Sequence, residues 1–148
     1  MSILSDIGVD PSIFAKKAII SFTTNKRNYT AHNNEKKMIY EYHKLDEHAS
    51  FLDQKCVDYA LYVEGDNLLY LIELKGSDLN HAYEQVLETF KMLQRDIKLK
   101  RGDARGRIVI GKVKRPALKS PEIKRLIKEC KTEKLDVLCQ TQQIIEDI

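Results

Sequence analysis

Cysteines and long apolar runs are scarce in this sequence, and each shortage excludes a class of protein. Only three cysteines occur, Cys56, Cys130 and Cys139, and no two of them have C-x-x-C spacing. Their odd number and their spacing argue against a disulfide framework and against a structural zinc site, so free thiols are expected. No apolar run approaches the length of a membrane-spanning helix, and no apolar block near the N-terminus resembles a secretory signal. We therefore expect a cytoplasmic protein with no membrane partner.

Internal repeats, low-complexity tracts and linkers are also missing from the sequence. With 148 residues, the chain can bury most of the apolar surface that it exposes when unfolded. Hydrophobic residues make up 43% of the sequence and charged residues 32%, as is typical of globular proteins. These features predict a single domain over residues 1–148.

Acidic residues are rare in one part of the chain, residues 91–119, which contains eleven basic residues and only two acidic ones. This segment carries a charge of +9, whereas the whole chain carries +3. Segregated positive charge suits a polyanionic partner, because lysine and arginine release condensed counterions from phosphates. An ordinary solvated surface is the alternative. The residues that we assign to nucleic-acid binding are Lys98, Lys100, Arg101, Arg105, Arg107, Lys112, Lys114 and Arg115.

Apolar patterning predicts strands and helices that follow one another along the chain, as in an α/β protein. Asp10-Pro11 and Ser120-Pro121 are each typical of an N-cap followed by proline at the first helical position. A strand–helix–strand unit over residues 107–141 favours parallel pairing of its two strands. Residues 46–55 fit either a loop or a helical turn. Strands are predicted at residues 18–24, 37–45, 56–63, 68–75, 107–113 and 135–141, and helices at 11–18, 79–97, 121–131 and 142–148.

The segments "CVDYALYV" and "LLYLIELK" predict an antiparallel hairpin. If Gly65 and Asp66 form a two-residue type II′ turn, the strands pair symmetrically about it, and Asp58 lies directly opposite Glu73. Opposed residues share a face, and Lys75 joins them because side chains alternate along a strand. Two opposed carboxylates repel each other, and one lysine relieves the repulsion only in part. A divalent cation would relieve it fully, whereas a salt-bridged cluster without metal is the alternative.

Asp58, then Glu73-Leu74-Lys75 on the next strand, then a helix and a further strand resemble the PD-(D/E)XK nuclease superfamily. The resemblance covers roughly residues 56–113, and Val57 stands where the family often has proline. The family has a mixed β-sheet flanked by helices, in the order α-β-β-β-α-β. The resemblance therefore implies a mixed central sheet with a restriction-endonuclease-like core.

The same resemblance implies roles for four residues of this hairpin. Asp58 and Glu73 would each give a carboxylate oxygen to Mg²⁺ or Mn²⁺, and the backbone carbonyl of Leu74 would be the third ligand. Lys75 would orient the attacking water or stabilise the charge of the transition state.

Family members often place a polar side chain from the next helix at the active site, which makes Gln85 the fourth catalytic candidate. The Gln-x-x-x-Tyr pattern of one large subgroup is not matched, because Thr89 follows Gln85 by four residues. Some members have an additional acid upstream, for which Glu47 and Asp53 are both candidates.

The function implied by the resemblance is that of a metal-dependent endonuclease that hydrolyses phosphodiester bonds. DNA is favoured over RNA as the nucleic-acid partner by the frequency of DNA enzymes in the family, and small relatives suggest a homodimer. The alternative is a non-enzymatic, nuclease-like binding module or an immunity-type partner protein with an idle site.

Overall fold

The computed structural model describes residues 3–111 and 120–148, which form a mixed α/β fold of two sheets and two α-helices. Short 3-10 turns lie at Ser5–Ile7, Leu45–Glu47 and Ala49–Phe51. The helices are α1 (Leu79–Ile97) and α2 (Pro121–Thr132). The strands are β1 (Ile13–Ala15), β2 (Ile19–Thr24), β3 (Arg27–His32), β4 (Ile39–Tyr42), β5 (Tyr59–Val63), β6 (Leu68–Lys75), β7 (Ala104–Ile110), β8 (Asp136–Thr141) and β9 (Gln143–Asp147).

Six of these strands form a mixed sheet in the order β1-β4-β5-β6-β7-β8. Strands β1, β4, β5 and β6 pair antiparallel in turn, whereas β6, β7 and β8 are parallel. The parallel pairing of β7 and β8 across α2 confirms the strand–helix–strand unit that the sequence predicts.

The predicted register of the β5–β6 hairpin is confirmed, because Tyr59 pairs with Ile72. The predicted type II′ turn is wrong. Residues 64–67 form a four-residue loop in which Asn67, and not Gly65, has the left-handed conformation (φ 52°). This loop has the same centre as the two-residue turn, and the register is therefore the same.

Different layers cover the two faces of the six-stranded sheet. The helices pack on one face, where Val86 of α1 and Leu71 of β6 belong to the same apolar core. A three-stranded sheet, in the order β2-β3-β9, packs on the other face, where Tyr29 and Ile72 share a second core. Because side chains alternate along β6, its odd-numbered residues face the helices and its even-numbered residues face the second sheet. Glu73 therefore lies on the helix face.

Side chains cap both helices, and the cap of α2 is at Ser120, as the sequence predicts. The Asp78 carboxylate accepts the N–H of His81 (3.0 Å), which starts α1 directly after β6. Ser120 accepts the N–H of Ile123 (3.2 Å) at the start of α2. Such caps satisfy N–H groups that have no partner within the helix.

Two predicted helices are wrong, because both segments are strands. In residues 11–18, β1 forms instead and pairs with β4 at the edge of the large sheet. In residues 142–148, β9 pairs in parallel with β3, a strand that was not predicted from the sequence. Ile144 is 1% exposed and Ile145 is 55% exposed, which is the two-residue alternation of a strand with one buried face.

All three cysteines are free thiols, as the sequence predicts. In residues 3–111 and 120–148, no helix is both long enough and apolar enough to cross a bilayer.

Candidate active site

The site cluster consists of Asp58, Glu73 and Lys75, which meet at the open end of the β5–β6 hairpin. Asp58 directly precedes β5, and the strand register continues to place it opposite Glu73. The backbone N–H of Asp58 donates to Oε1 of Glu73 (3.1 Å), and Nζ of Lys75 lies 3.9 Å from Oε2 of the same carboxylate. The fold thus brings together three of the four catalytic candidates.

Leu74 contributes to this cluster only through its backbone. The end of β6 extends beyond Tyr59, where β5 begins, so Leu74 has a strand partner only on the β7 side, at Val109. Its side chain packs in the core under the second sheet. The carbonyl oxygen is therefore the one group of Leu74 that could join the two carboxylates as a ligand.

The fourth candidate, Gln85, is buried on α1 and supports the segment that carries Asp58. Its Nε2 donates to the carbonyl of Cys56 (3.1 Å), and Oγ1 of Thr89 accepts the N–H of Val57 (3.1 Å). A third bond comes from the 3-10 turn, where the N–H of Leu45 donates to the carbonyl of Asp58 (2.8 Å). Three successive residues are thus fixed in place. The role of Thr89 was not predicted from the sequence, although its spacing from Gln85 places both on one helix face.

Replacing Thr89 by valine is expected to lower the free energy of unfolding by about 1–3 kcal/mol, because the buried N–H of Val57 loses its acceptor. Thr89→Ser keeps the hydroxyl and is the matched control. Urea unfolding of both variants measures the difference. A Thr89→Val variant as stable as wild type would contradict a stabilising role for the hydrogen bond to Val57.

Burial and nearby negative charges raise the pKa values of both carboxyls in the site cluster. Burial is the main cause for Glu73 and, together with the nearby charge of Asp58, raises its pKa to about 8, against the opposing effect of Lys75. Burial also raises the pKa of Asp58 to about 6, with a further contribution from Asp46. Carboxyls whose charged forms are disfavoured in this way gain from a cation that neutralises them.

These raised pKa values predict that the metal-free protein loses stability as the pH rises. Between about pH 4.5 and pH 8, the folded protein holds a proton on Glu73 that the unfolded chain has released. The stability that this proton contributes is fully present at about pH 4.5, and it is lost as the pH passes about 8. From pH 5.5 to pH 8.5 in EDTA, the free energy of unfolding should decrease by roughly 3 kcal/mol more for wild type than for Glu73→Gln. Thermal unfolding at the two pH values measures this difference. Identical pH profiles would contradict the assignment.

Exposed acids from residues 45–55 lie near the site cluster. The charges of Asp46 and Glu47 both raise the pKa of Asp58, and Asp46 also acts on Glu73. Of the two candidates for an upstream acid, Glu47 is thus near the cluster. Asp53 lines a separate surface groove with Lys55 and Glu84. Asp46 was missed as a candidate because the sequence did not decide between a loop and a turn for this segment.

Of the basic residues assigned to nucleic-acid binding, those that the structure describes do not form one surface beside the site cluster. Ala104, at the start of β7, pairs with Leu69, and Lys75 is about 20 Å further along β6 at 3.3 Å per residue. Lys98, Lys100 and Arg101 precede Ala104 and therefore lie towards the opposite end of β6 and β7. Lys112, Lys114 and Arg115 lie outside the described residues.

Arg105 and Arg107 are directed towards the second sheet. Arg105 donates to the hydroxyl of Tyr70 (3.2 Å). Arg107 is 4% exposed and donates through Nε to Glu146 of β9 (2.7 Å) and through Nη1 to the carbonyl of Asp136 (3.0 Å). The guanidinium of Arg107 is therefore hydrogen-bonded inside the protein.

In the described part of the chain, no three His, Cys, Asp or Glu side chains form a group that could hold a metal by themselves. A metal at the site cluster would therefore depend on two carboxylates, the Leu74 carbonyl and water. Comparisons of the chain with protein-family models, with curated proteins and with solved structures gave no match.

Proposed function

We propose that this protein is a metal-dependent nuclease of the PD-(D/E)XK type that hydrolyses phosphodiester bonds, with DNA as the favoured substrate. The observation that carries the proposal is the hairpin register. It places Asp58 against Glu73, where the Asp58 N–H donates to the Glu73 carboxylate (3.1 Å) and Lys75 stands beside it. Two acids and a lysine in this arrangement are the residues that such a reaction needs.

The order of the elements around the site cluster supports the same proposal. Strands β4, β5 and β6, helix α1 and strand β7 follow one another as β-β-β-α-β, with the site at the end of the central strand β6. This order agrees with a restriction-endonuclease-like core. Two features differ from the family pattern: β1 stands where its first helix was expected, and a three-stranded sheet covers the face opposite the helices.

The donors of the site cluster suit a hard divalent cation such as Mg²⁺ or Mn²⁺, which prefers oxygen ligands and keeps several waters. Asp58, Glu73 and the carbonyl of Leu74 would hold it. When bound, it would lower the pKa of a coordinated water and neutralise charge on the phosphate. Lys75 would donate a proton in a hydrogen bond to the attacking water or to the phosphate oxygen on which charge develops. Gln85 would act indirectly, by holding the segment before Asp58 in position.

Cleavage assays on several nucleic acids test the proposal. Wild type and Asp58→Asn would be incubated with supercoiled, linear, single-stranded and branched DNA and with RNA, each with Mg²⁺ or Mn²⁺. We expect wild type to cleave at least one DNA substrate and Asp58→Asn to be inactive. Asp66→Asn is the matched control, because Asp66 lies in the loop at the far end of the same hairpin, beside Lys37 (3.0 Å). Absence of cleavage by wild type, together with absence of metal binding, would favour the binding module with an idle site.

A further inference from the structure

The turn of the β2–β3 hairpin lies at the end of the large sheet where β6 and β7 end, which is also where the site cluster lies. At this end, directly beyond Lys75, the N–H of Gly111 donates to the carbonyl of Gly76 (2.8 Å) and joins the ends of β6 and β7. The turn of the hairpin consists of Asn25 and Lys26, both in the left-handed conformation (φ 48° and 65°). This is the backbone of a two-residue type I′ turn.

Arg27, the first residue after this turn, packs against the end of β7. A Cβ atom on Gly111 would lie 2.5 Å from Nη2 and 2.9 Å from Nε of Arg27, and 2.9 Å from the carbonyl oxygen of Gly76. The guanidinium of Arg27 thus occupies the space that a side chain at position 111 would need. It stands close to the backbone of Gly76, the residue that follows Lys75.

Hydrogen bonds hold the β2–β3 hairpin in this place, on one side to β5 and on the other side to Gln142. Oγ1 of Thr24 lies 2.7 Å from the hydroxyl of Tyr59, the residue that follows Asp58. On the other side, the N–H of Asn28 donates to the carbonyl of Gln142 (3.1 Å), and Nε2 of Gln142 donates to the carbonyl of Gly111 (3.1 Å). Arg27 is therefore positioned before any ligand arrives.

Among residues 3–111 and 120–148, Arg27 has no acid partner. The one hydrogen bond of its guanidinium within these ranges joins Nη1 to the carbonyl of Asn25 (3.3 Å), and Nε is buried without a partner there. Residues 112–119, which follow Gly111, contain no Asp or Glu. By contrast, Arg95, Arg101, Arg107 and Arg125 each pair with a carboxylate, and Arg105 donates to the hydroxyl of Tyr70. An unpaired, partly buried guanidinium is costly for the protein alone and is well suited to a phosphate.

We propose that Arg27, with Lys26 at the tip of the turn, binds a phosphate of the nucleic-acid strand next to the one that is cleaved. This inference rests on the proposed function, because it adds a substrate contact at the end of the sheet where the site cluster lies, on the side of the second sheet. It also assigns the contact to the β2–β3 turn, whereas the charge of residues 91–119 suggested another surface.

Steady-state cleavage kinetics of two variants test this contact. Arg27→Met is expected to raise the KM for a DNA that wild type cleaves about tenfold or more, with a smaller change in kcat, because a charge-assisted contact to phosphate is lost. The slope of log(kcat/KM) against log salt should decrease in magnitude by about 1, since one fewer counterion is released. Lys26→Gly should show a smaller effect in the same direction. Its fold should be intact, because Asn-Gly is a preferred type I′ sequence.

Arg125→Met is the matched control, because Arg125 is exposed on α2 and pairs with Glu129 (3.1 Å). It should retain the KM and the salt slope of wild type. Calorimetric titration with Mn²⁺ should give the same affinity for all these variants. An unchanged KM and salt slope in Arg27→Met, with active wild type, would overturn this contact and leave the nuclease proposal standing. A wild type that cleaves none of the substrates would overturn both.

Discussion

Lys75→Ala is expected to lower the rate of phosphodiester cleavage about 100- to 1,000-fold, the usual effect of removing one group that stabilises developing charge. The ammonium of Lys75 lies 3.9 Å from Oε2 of Glu73, at the open end of the hairpin. It is not one of the proposed metal ligands. The variant should therefore bind Mn²⁺ at least as tightly as wild type, since a positive charge beside the carboxylates is removed. Single-turnover cleavage and calorimetry on the same protein sample measure both effects.

Two further variants make the loss of activity specific. Lys75→Arg should remain inactive, because the broad guanidinium cannot replace a compact ammonium at this position. Lys55→Ala should retain activity, because Lys55 is half-exposed in the surface groove and pairs with Glu84. If Lys75→Ala degrades DNA as fast as wild type, the activity comes from a contaminating nuclease or from another site.

Arg107→Met is expected to lower the free energy of unfolding by about 3–5 kcal/mol, because it leaves the carboxylate of Glu146 in a mostly buried place without its cation. The Arg107–Glu146 bond (2.7 Å) joins β7 of the large sheet to β9 of the second sheet. Methionine keeps most of the apolar stem and removes the guanidinium. Urea unfolding at neutral pH gives the change.

The double variant Arg107→Met with Glu146→Leu controls for loss of packing. It should recover a large part of the stability, because neither charge is then left unpaired. This result would show that Arg107 holds the two sheets together. Full stability of Arg107→Met, together with weaker DNA binding, would instead support the nucleic-acid contact suggested by the sequence.

The site cluster could be predicted because it depends on local features of one hairpin. The apolar runs of β5 and β6 are unambiguous, and the loop between them has its centre at Gly65 and Asp66. A two-residue and a four-residue loop with that centre give the same pairs, so Asp58 opposes Glu73 even though the turn type was wrong. The cap at Asp78 is likewise a local signal.

The second sheet could not be predicted, because it depends on contacts between distant parts of the chain. β9 is a strand because it pairs in parallel with β3, and its adjacent isoleucines, Ile144 and Ile145, hide the alternation that would have revealed a strand. β1 likewise forms where it can pair with β4. A proline after Asp10 favours a helix start only when no such partner exists.

Charge in the sequence also did not reveal which basic residues are paired inside the protein. Arg107 contributes to the +9 of residues 91–119, yet it is 4% exposed and paired inside the protein. Arg27 lies outside that segment, but the fold places it beside the end of β6 with no acid partner among the described residues. Pairing and burial depend on tertiary structure, so a count of lysines and arginines cannot separate these two cases.

Calorimetric titration with Mn²⁺ tests most directly whether the site cluster is a metal centre. At pH 8, where Asp58 is ionised, we expect wild type and Lys75→Ala each to bind the ion. Asp58→Asn and Glu73→Gln should each lose that binding, while Asp66→Asn keeps it. Proton release should accompany binding to wild type, because the pKa of Glu73 is raised to about 8. Equal heats for wild type, Asp58→Asn and Glu73→Gln, or no binding to wild type, would contradict the assignment of a metal centre.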